Sequence, residues 1–301
     1  MRIGLTGATG FVGQRVLRDA PRGGHTVRAL TRREQPEKDD ITWIPGELGD
    51  RASLAALVEG CDAVIHVAGA ISAPDRAGFA SVNIDGTRAV IEAVEAAGID
   101  RLIHISSLAA REPEVSDYGW SKAGSEEAVR ASRLDWTIIR PPAVYGATDR
   151  QTLELFRMAN RGLVILPPRG RLSIIHVADL SRLLLACLDA PESVGQTYEP
   201  DDGSHNGLSH RQFAQALGRA VGKRVFTVSV PSPLVRVGAR LDRLFRGDKA
   251  KLTPDRARYF CHPDWVSRDA MKPPGSVWKP AVAGEEGLSR TAHKYREKGW
   301  L

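Results

Sequence analysis

The sequence predicts an α/β protein built on a doubly wound parallel sheet, with a smaller C-terminal lobe. Three observations predict it. From Arg2 to Val129, short apolar runs alternate with segments of helical spacing, the pattern of successive βαβ units. The first run ends in a glycine-rich turn, Thr6-Gly7-Ala8-Thr9-Gly10-Phe11-Val12-Gly13, that opens directly into a helix. At 301 residues, the chain is near the size at which one core divides into two.

The first run is Arg2-Ile3-Gly4-Leu5, and Val12, Val16 and Leu17 follow the turn at helical intervals. The strand, turn and helix context makes the glycine triplet informative. Gly7 permits a tight turn, Gly10 lets backbone approach a pyrophosphate, and Gly13 lets the helix pack close to the strand. The helix then offers its first N–H groups to phosphate oxygens. Thr6, Gly7, Thr9, Gly10, Phe11, Val12 and Gly13 are therefore candidate cofactor contacts in a Rossmann arrangement. Residues 1–145 are expected to form this domain, with strands returning near 171–200. Residues 146–301 are expected to form mainly a substrate-binding lobe.

The second strand reads Thr26-Val27-Arg28-Ala29-Leu30-Thr31 and runs into Arg32-Arg33. An acidic residue closing this strand would bind a free ribose 2′-hydroxyl, but none precedes Glu34, and two guanidinium forks suit a 2′-phosphate. NADP(H) is thus the preferred cofactor and NAD(H) the second. A third strand is read at Thr42-Trp43-Ile44-Pro45-Gly46, and Glu47-Leu48-Gly49-Asp50 caps a helix starting near Arg51. The fourth strand, Ala63 to Gly69, is apolar on both faces, as in a covered parallel sheet. A helix carrying Asn83-Ile84-Asp85-Gly86-Thr87 leads to the fifth, Arg101-Leu102-Ile103-His104-Ile105, which ends in Ser106-Ser107. Ligand chemistry in such a sheet belongs at these carboxyl ends.

Eleven residues after Ser107 comes Tyr118, and Lys122 stands four further on, so on a helix the two share a face. A tyrosine of ordinary pKa is a poor base at neutral pH, and a nearby ammonium favours its phenolate. A serine hydroxyl beside it can hold a substrate oxygen while the proton moves.

The glycine turn, the serine pair and the Tyr118/Lys122 pair resemble the short-chain dehydrogenase/reductase superfamily, in its extended branch of epimerases, dehydratases and ketone reductases. Asn83 to Thr87, Arg140-Pro141-Pro142-Ala143-Val144-Tyr145-Gly146, Ile175-His176-Val177-Ala178-Asp179-Leu180, and the closing Glu285-Glu286-Gly287-Leu288 and Gly299-Trp300-Leu301 extend the likeness over most of the chain. The resemblance implies Tyr118 as proton donor or acceptor, and Lys122 as the group that lowers its pKa and binds the nicotinamide ribose. It implies Ser107, ahead of Ser106, as the group orienting the carbonyl, and Asn83 as a member of a proton relay. It adds Glu47, Leu48, Ala68, Gly69, Pro141, Ala143 and Val144 as cofactor contacts, with Glu47 standing where an aspartate is common. The short Ser107 to Tyr118 interval resembles an atypical subgroup related to an accessory subunit of respiratory complex I. The expected function is an NADP(H)-dependent oxidoreductase interconverting a ketone and a secondary alcohol. A nucleotide-sugar epimerase or dehydratase with tightly bound NAD, or a non-catalytic NADP(H)-binding assembly or sensor protein, are the alternatives.

Composition narrows the class. With 42% hydrophobic and 26% charged residues the chain is not disordered. Cys61, Cys187 and Cys261 lie far apart without metal or redox spacing, so no metal is expected and a reduced, cytoplasmic setting is. The first strand begins next to Met1, leaving no room for a signal peptide, and no run is long enough to cross a bilayer.

Past Gly146 the pattern loosens. Leu153, Phe156 and Met158 predict a helix, Pro167 to Gly170 a loop, Leu172 to Ile175 a returning strand, and Gln196 to Tyr198 and Arg224 to Val230 short strands. His176 and Asp179 read as structural residues. The formal charge of +6 is concentrated between Pro231 and Phe260, where Arg236, Arg240, Arg243, Arg246, Lys249, Lys251, Arg256 and Arg258 face three aspartates. In this segment, 231–260, Leu234, Val237, Leu241, Leu244 and Phe245 recur at helical intervals beside the arginines. That pattern suits either a helix lying in a membrane interface or one covering the substrate pocket. Lipid contact would make the protein peripheral on the inner face of a membrane and would favour a lipidic ketone such as a 3-oxo-sphingoid or an oxidised ceramide. Nucleic acid is not expected, because the arginines are not regularly interleaved with aromatic stacking residues.

Overall fold

The computed structural model describes residues 1–247, 250 and 252–301. Lys249 and Lys251 of the basic segment lie outside the described residues. In chain order the elements begin with β1 (Arg2–Thr6), α1 (Phe11–Asp19), β2 (Thr26–Thr31), β3 (Ile41–Pro45), α2 (Arg51–Val58) and β4 (Ala63–His66). There follow α3 (Arg76–Phe79), a π-helical stretch over Ala80–Asp85, α4 (Gly86–Ala96), β5 (Arg101–Ile105), α5 (Asp117–Ala131) and β6 (Asp135–Ile139). Then come β7 (Ala143–Tyr145), α6 (Leu153–Asn160), β8 (Leu163–Leu166), β9 (Arg171–Leu172), β10 (Ile174–His176), α7 (Val177–Ala186) and β11 (Gln196–Tyr198). The last elements are β12 (Leu208–Ser209), α8 (His210–Val221), β13 (Phe226–Ser229), α9 (Ser232–Arg246), α10 (Pro254–Cys261), β14 (Asp264–Trp265) and α11 (Gly284–Glu297).

The chain divides into two compact units. The first holds 1–141, 180–200 and 271–279. Its sheet is parallel throughout, in the order β11-β6-β5-β4-β1-β2-β3, the doubly wound order with a seventh strand added at one edge. β4 and β5 are buried along their whole length, because helices cover both faces. Leu54, Leu57, Val64, Val90, Val94, Leu102, Val129 and Ile138 fill one side of it. At the amino ends, buried Arg101 donates to the carbonyls of Asp135 and Cys187 and to the hydroxyls of Thr137 and Ser193, tying β5, β6 and the approach to β11 together.

The second unit holds 142–179, 201–270 and 280–301. Its core joins Tyr145, Phe156, Val164, Leu217, Leu288 and Tyr295. The strand expected over Leu172 to Ile175 is split. Buried Ser173 donates its N–H to Trp265 and its hydroxyl to Asp201, so β9 pairs with β12 and β14 while β10 pairs with β7. Asp179 accepts the N–H groups of Ala281 and Val282, in keeping with its structural reading. Among the described residues no helix is long and apolar enough to cross a membrane and no cluster could hold a metal ion. All three cysteines are free.

Candidate active site

The strand order places β1 between β2 and β4, so the connections leaving β1 and β4 turn to opposite sides of the sheet. In a sheet of this order the ligand crevice lies outside their carboxyl ends, where Thr6 and His66 are register partners. Gly7 turns the chain with φ +69°, and the Gly10 N–H closes the turn on the Gly7 carbonyl at 3.0 Å. Any side chain at Gly13 would collide with that same carbonyl, so only glycine lets α1 lie this close. Gly10 stands at the N-cap of α1 with no side-chain cap and no acidic residue in the first turn. The N–H groups of Phe11, Val12 and Gly13 are therefore left for an anion, a fit for a pyrophosphate. Arg32 and Arg33, at the end of β2, are exposed, and no described residue engages their side chains. That fits a further phosphate beside the first.

Ser107 follows β5 in extended backbone and N-caps a short 3-10 turn over Leu108–Arg111, its hydroxyl accepting the Ala109 N–H at 3.2 Å. α5 is capped by Ser116, which accepts the Gly119 N–H at 3.0 Å. Its first turn rests on the 3-10 turn: a Cβ on Gly119 would come 2.6 Å from the Ala109 carbonyl oxygen. This approach brings the Tyr118 hydroxyl into a hydrogen bond with Ser107. Burial pushes the Tyr118 phenol up, and the Ser107 hydrogen bond draws it back.

Lys122, one turn on, is buried and donates to the Ile105 carbonyl at 2.6 Å. Burial lowers its pKa to about 8, against the pull of the Glu126 carboxylate. Its ammonium lies near Gly69, where a Cβ would be 3.8 Å away. Asn83, in the π-helical stretch, clamps the same loop: its side chain accepts from the Ala70 N–H at 2.7 Å and donates to the Ala70 carbonyl and to Ser121 at 3.0 and 2.8 Å. A π-helical turn at a functional site is a recurrent feature.

Beneath this lie groups that sequence reasoning missed. Ser106 donates to Glu126 at 2.5 Å, and fully buried Glu126 also pairs with Arg140 at 2.6 Å and Arg130 at 2.8 Å. The set continues through Arg140 and Glu199 to Arg111. With its hydroxyl committed there, Ser106 leaves Ser107 as the serine beside Tyr118. The signal was present, since Glu126 is four residues from Lys122 and eight from Tyr118 on one helix face.

His66 and His104 were also missed. Both are fully buried in the sheet, with ring centroids 5.2 Å apart. Thr87 gives its hydroxyl proton to the Asn83 carbonyl at 2.6 Å, so at 3.0 Å it accepts from His66 Nε2. His66 Nδ1 then accepts from Thr6 at 2.6 Å, and Thr6 accepts the Ala68 N–H at 3.2 Å. The direction of the chain fixes His66 as a neutral ring. His104 Nε2 donates to Ser125, whose own proton goes to the Lys122 carbonyl, and His104 Nδ1 has no partner among the described residues. Burial and the Lys122 charge hold both rings neutral, with His66 lowered to about 3 and His104 well below its usual value.

The remaining predicted contacts are scattered. Ala68 and Gly69 follow β4 at the crevice, and Pro141 accepts the Leu108 N–H. Glu47 is exposed beyond β3, while Leu48 packs against Gly86 at the start of α4. Ala143 and Val144 form β7 in the second unit.

The profile of an NAD(P)H-binding family matches residues 7–191. The chain is 35% identical to the ceramide reductase of Caulobacter vibrioides, over 99% of this chain and 96% of that one. It is 31% identical to the 2-alkyl-3-oxoalkanoate reductase of Stenotrophomonas maltophilia, over 96% and 98%. Among solved structures, MoeE5 in complex with UDP-glucose and NAD superposes with a TM-score of 0.77 at 19% identity, covering 99% of each chain. With the glycine turn, the serine pair and the Tyr118/Lys122 pair assembled in one unit, the chain belongs to the NAD(P)H-binding short-chain dehydrogenases/reductases, in their extended, epimerase-like branch, and is an NAD(P)-dependent oxidoreductase.

Proposed function

We propose that the protein reduces a ketone to a secondary alcohol with NADPH, and that the ketone is carried by a long-chain lipid of the 3-oxo-sphingoid or oxidised-ceramide type. The observation that carries this reading is the hydrogen bond between Tyr118 and Ser107, with Lys122 one helical turn further along α5. Likeness over nearly the full chain to a protein named ceramide reductase supports the lipid. The two unengaged arginines after β2 support the 2′-phosphate.

The glycine turn and the α1 N-terminus would hold the pyrophosphate, Arg32 and Arg33 the 2′-phosphate, and Lys122 the nicotinamide ribose. The cofactor supplies the hydride that the carbonyl carbon accepts. Ser107 donates to the carbonyl oxygen and fixes it beside Tyr118. As negative charge grows on that oxygen, Tyr118 gives up its phenolic proton, completing the alcohol. The Lys122 charge favours the phenolate left behind. Asn83, all of whose side-chain polar atoms are engaged, acts as a positioning residue that keeps the Gly69-Ala70 loop in place.

Tyr118→Phe removes the proton but not the packing. It is expected to lower kcat by about 10²- to 10⁴-fold while NADPH affinity holds; an unchanged kcat overturns the catalytic assignment. For the cofactor, NADPH and NADH are titrated in parallel by fluorescence. Arg32→Ala is expected to weaken NADPH about tenfold and leave NADH unchanged, the loss of one charge-assisted contact. Purification with tight, non-exchanging NAD would instead favour the epimerase alternative.

A further inference from the structure

In the second unit, α9 presents its apolar stripe outward. Leu234, Val237, Leu241, Leu244 and Phe245 are all exposed, Leu244 to 77% and Phe245 to 82%. The helix meets the rest of the unit through the opposite side, where Ala239 is fully buried and Val235 and Asp242 are half-buried. An ordinary surface helix has the reverse arrangement. Arg236, Arg240 and Arg243 flank the stripe and are engaged by no described residue. The helix's single acid, Asp242, is turned inward, where it accepts the Leu252 N–H and pairs with Arg246.

A second apolar face adjoins this helix in the chain. β8 and β13 form a two-stranded parallel sheet in which Leu163 pairs with Phe226 and Ile165 with Val228. All four side chains are exposed, Phe226 to 79%, while Val164 and Leu166 on the other face are in the core. A half-buried strand normally turns polar residues outward. Only Val230 and Pro231 separate β13 from α9.

We infer that α9 and the outer face of the β8–β13 sheet form a docking surface for an anionic lipid bilayer. Large apolar side chains flanked by arginines, with no acid on the outer face of α9 among the described residues, match the acyl boundary and the anionic head groups in turn. A second copy of the chain would set the same arginines against each other, which costs rather than gains. The inference does not depend on the reading of the substrate.

The full chain is sedimented with vesicles of phosphatidylcholine alone or mixed with phosphatidylglycerol. Binding to the mixed vesicles at low salt, weakened by added salt, is expected. Leu244→Ser with Phe245→Ser is expected to lower the partition coefficient by at least about tenfold, and Phe226→Ser with Val228→Ser to do the same from the sheet. Arg236→Glu, Arg240→Glu and Arg243→Glu together are expected to cost on the order of a hundredfold or more. Because these positions are exposed, thermal melts and turnover of a short water-soluble ketone should match the parent. No pelleting with anionic vesicles, equal pelleting with phosphatidylcholine, or a concentration-dependent dimer abolished by the same substitutions overturns the inference.

Discussion

At the scale of single residues, the two buried histidines have a measurable signature. In the folded protein His66 and His104 stay neutral, His66 with a pKa of about 3, whereas in the unfolded chain each takes a proton near pH 6.5. Below pH 6.5 the unfolded state therefore binds more protons, so stability rises with pH across this window and falls on acidification. The slope is at most about 1.4 kcal/mol per pH unit for each ring. His104→Leu removes one titrating ring and the unpartnered Nδ1. Denaturant unfolding between pH 6.5 and 5 is expected to show a shallower slope in this variant; an identical slope would mean that His104 is not held neutral. None of this was legible in the sequence, where His66 and His104 are two polar letters in apolar runs. Only the register that sets β4 beside β5 makes them neighbours.

At the scale of elements, α5 does the assembling. Its one face carries Tyr118, Lys122 and Glu126 at intervals of four, so a single helix sets the phenol, the ammonium and the buried carboxylate in a row. The Tyr118/Lys122 part of that row, the glycine turn, and the strands ending at Thr31 and Ile105 were readable, because each depends on local spacing. The seat of α5 on the Ser107 turn was not, since it is a contact between elements made through Gly119. Gly119→Ala would push a Cβ toward the Ala109 and Glu112 carbonyl oxygens, at 2.6 and 3.1 Å. We expect kcat to fall about tenfold or more as Tyr118 and Ser107 separate, with NADPH affinity little changed. Steady-state kinetics with a cofactor titration checks this, and a parallel loss of both would point to general disruption of the helix.

At the scale of the whole molecule, periodicity disclosed the kind of sheet but not every partner in it. Gln196 to Tyr198 reads as a short strand, yet nothing in three residues says that it pairs with β6 as the seventh strand. The split at Ser173 was equally hidden, because its cause is a set of hydrogen bonds to Trp265 and Asp201, far along the chain. The arginine-rich segment was legible as amphipathic. Which way its apolar stripe faces needed the structure, since the same spacing serves a helix turned inward or outward.

The division of the chain between its two units bears on how it is made and how it can be rearranged. The first unit is assembled from three segments, the last of which ends at residue 279. On the ribosome, its seventh strand and closing segment emerge only after long stretches of the second unit, so neither unit can be complete before nearly all of the chain has been synthesised. No single cut releases either one whole. Exchange of the second unit between relatives by recombination must therefore transfer several separate pieces together, and a one-crossover chimera joins halves of two incomplete cores.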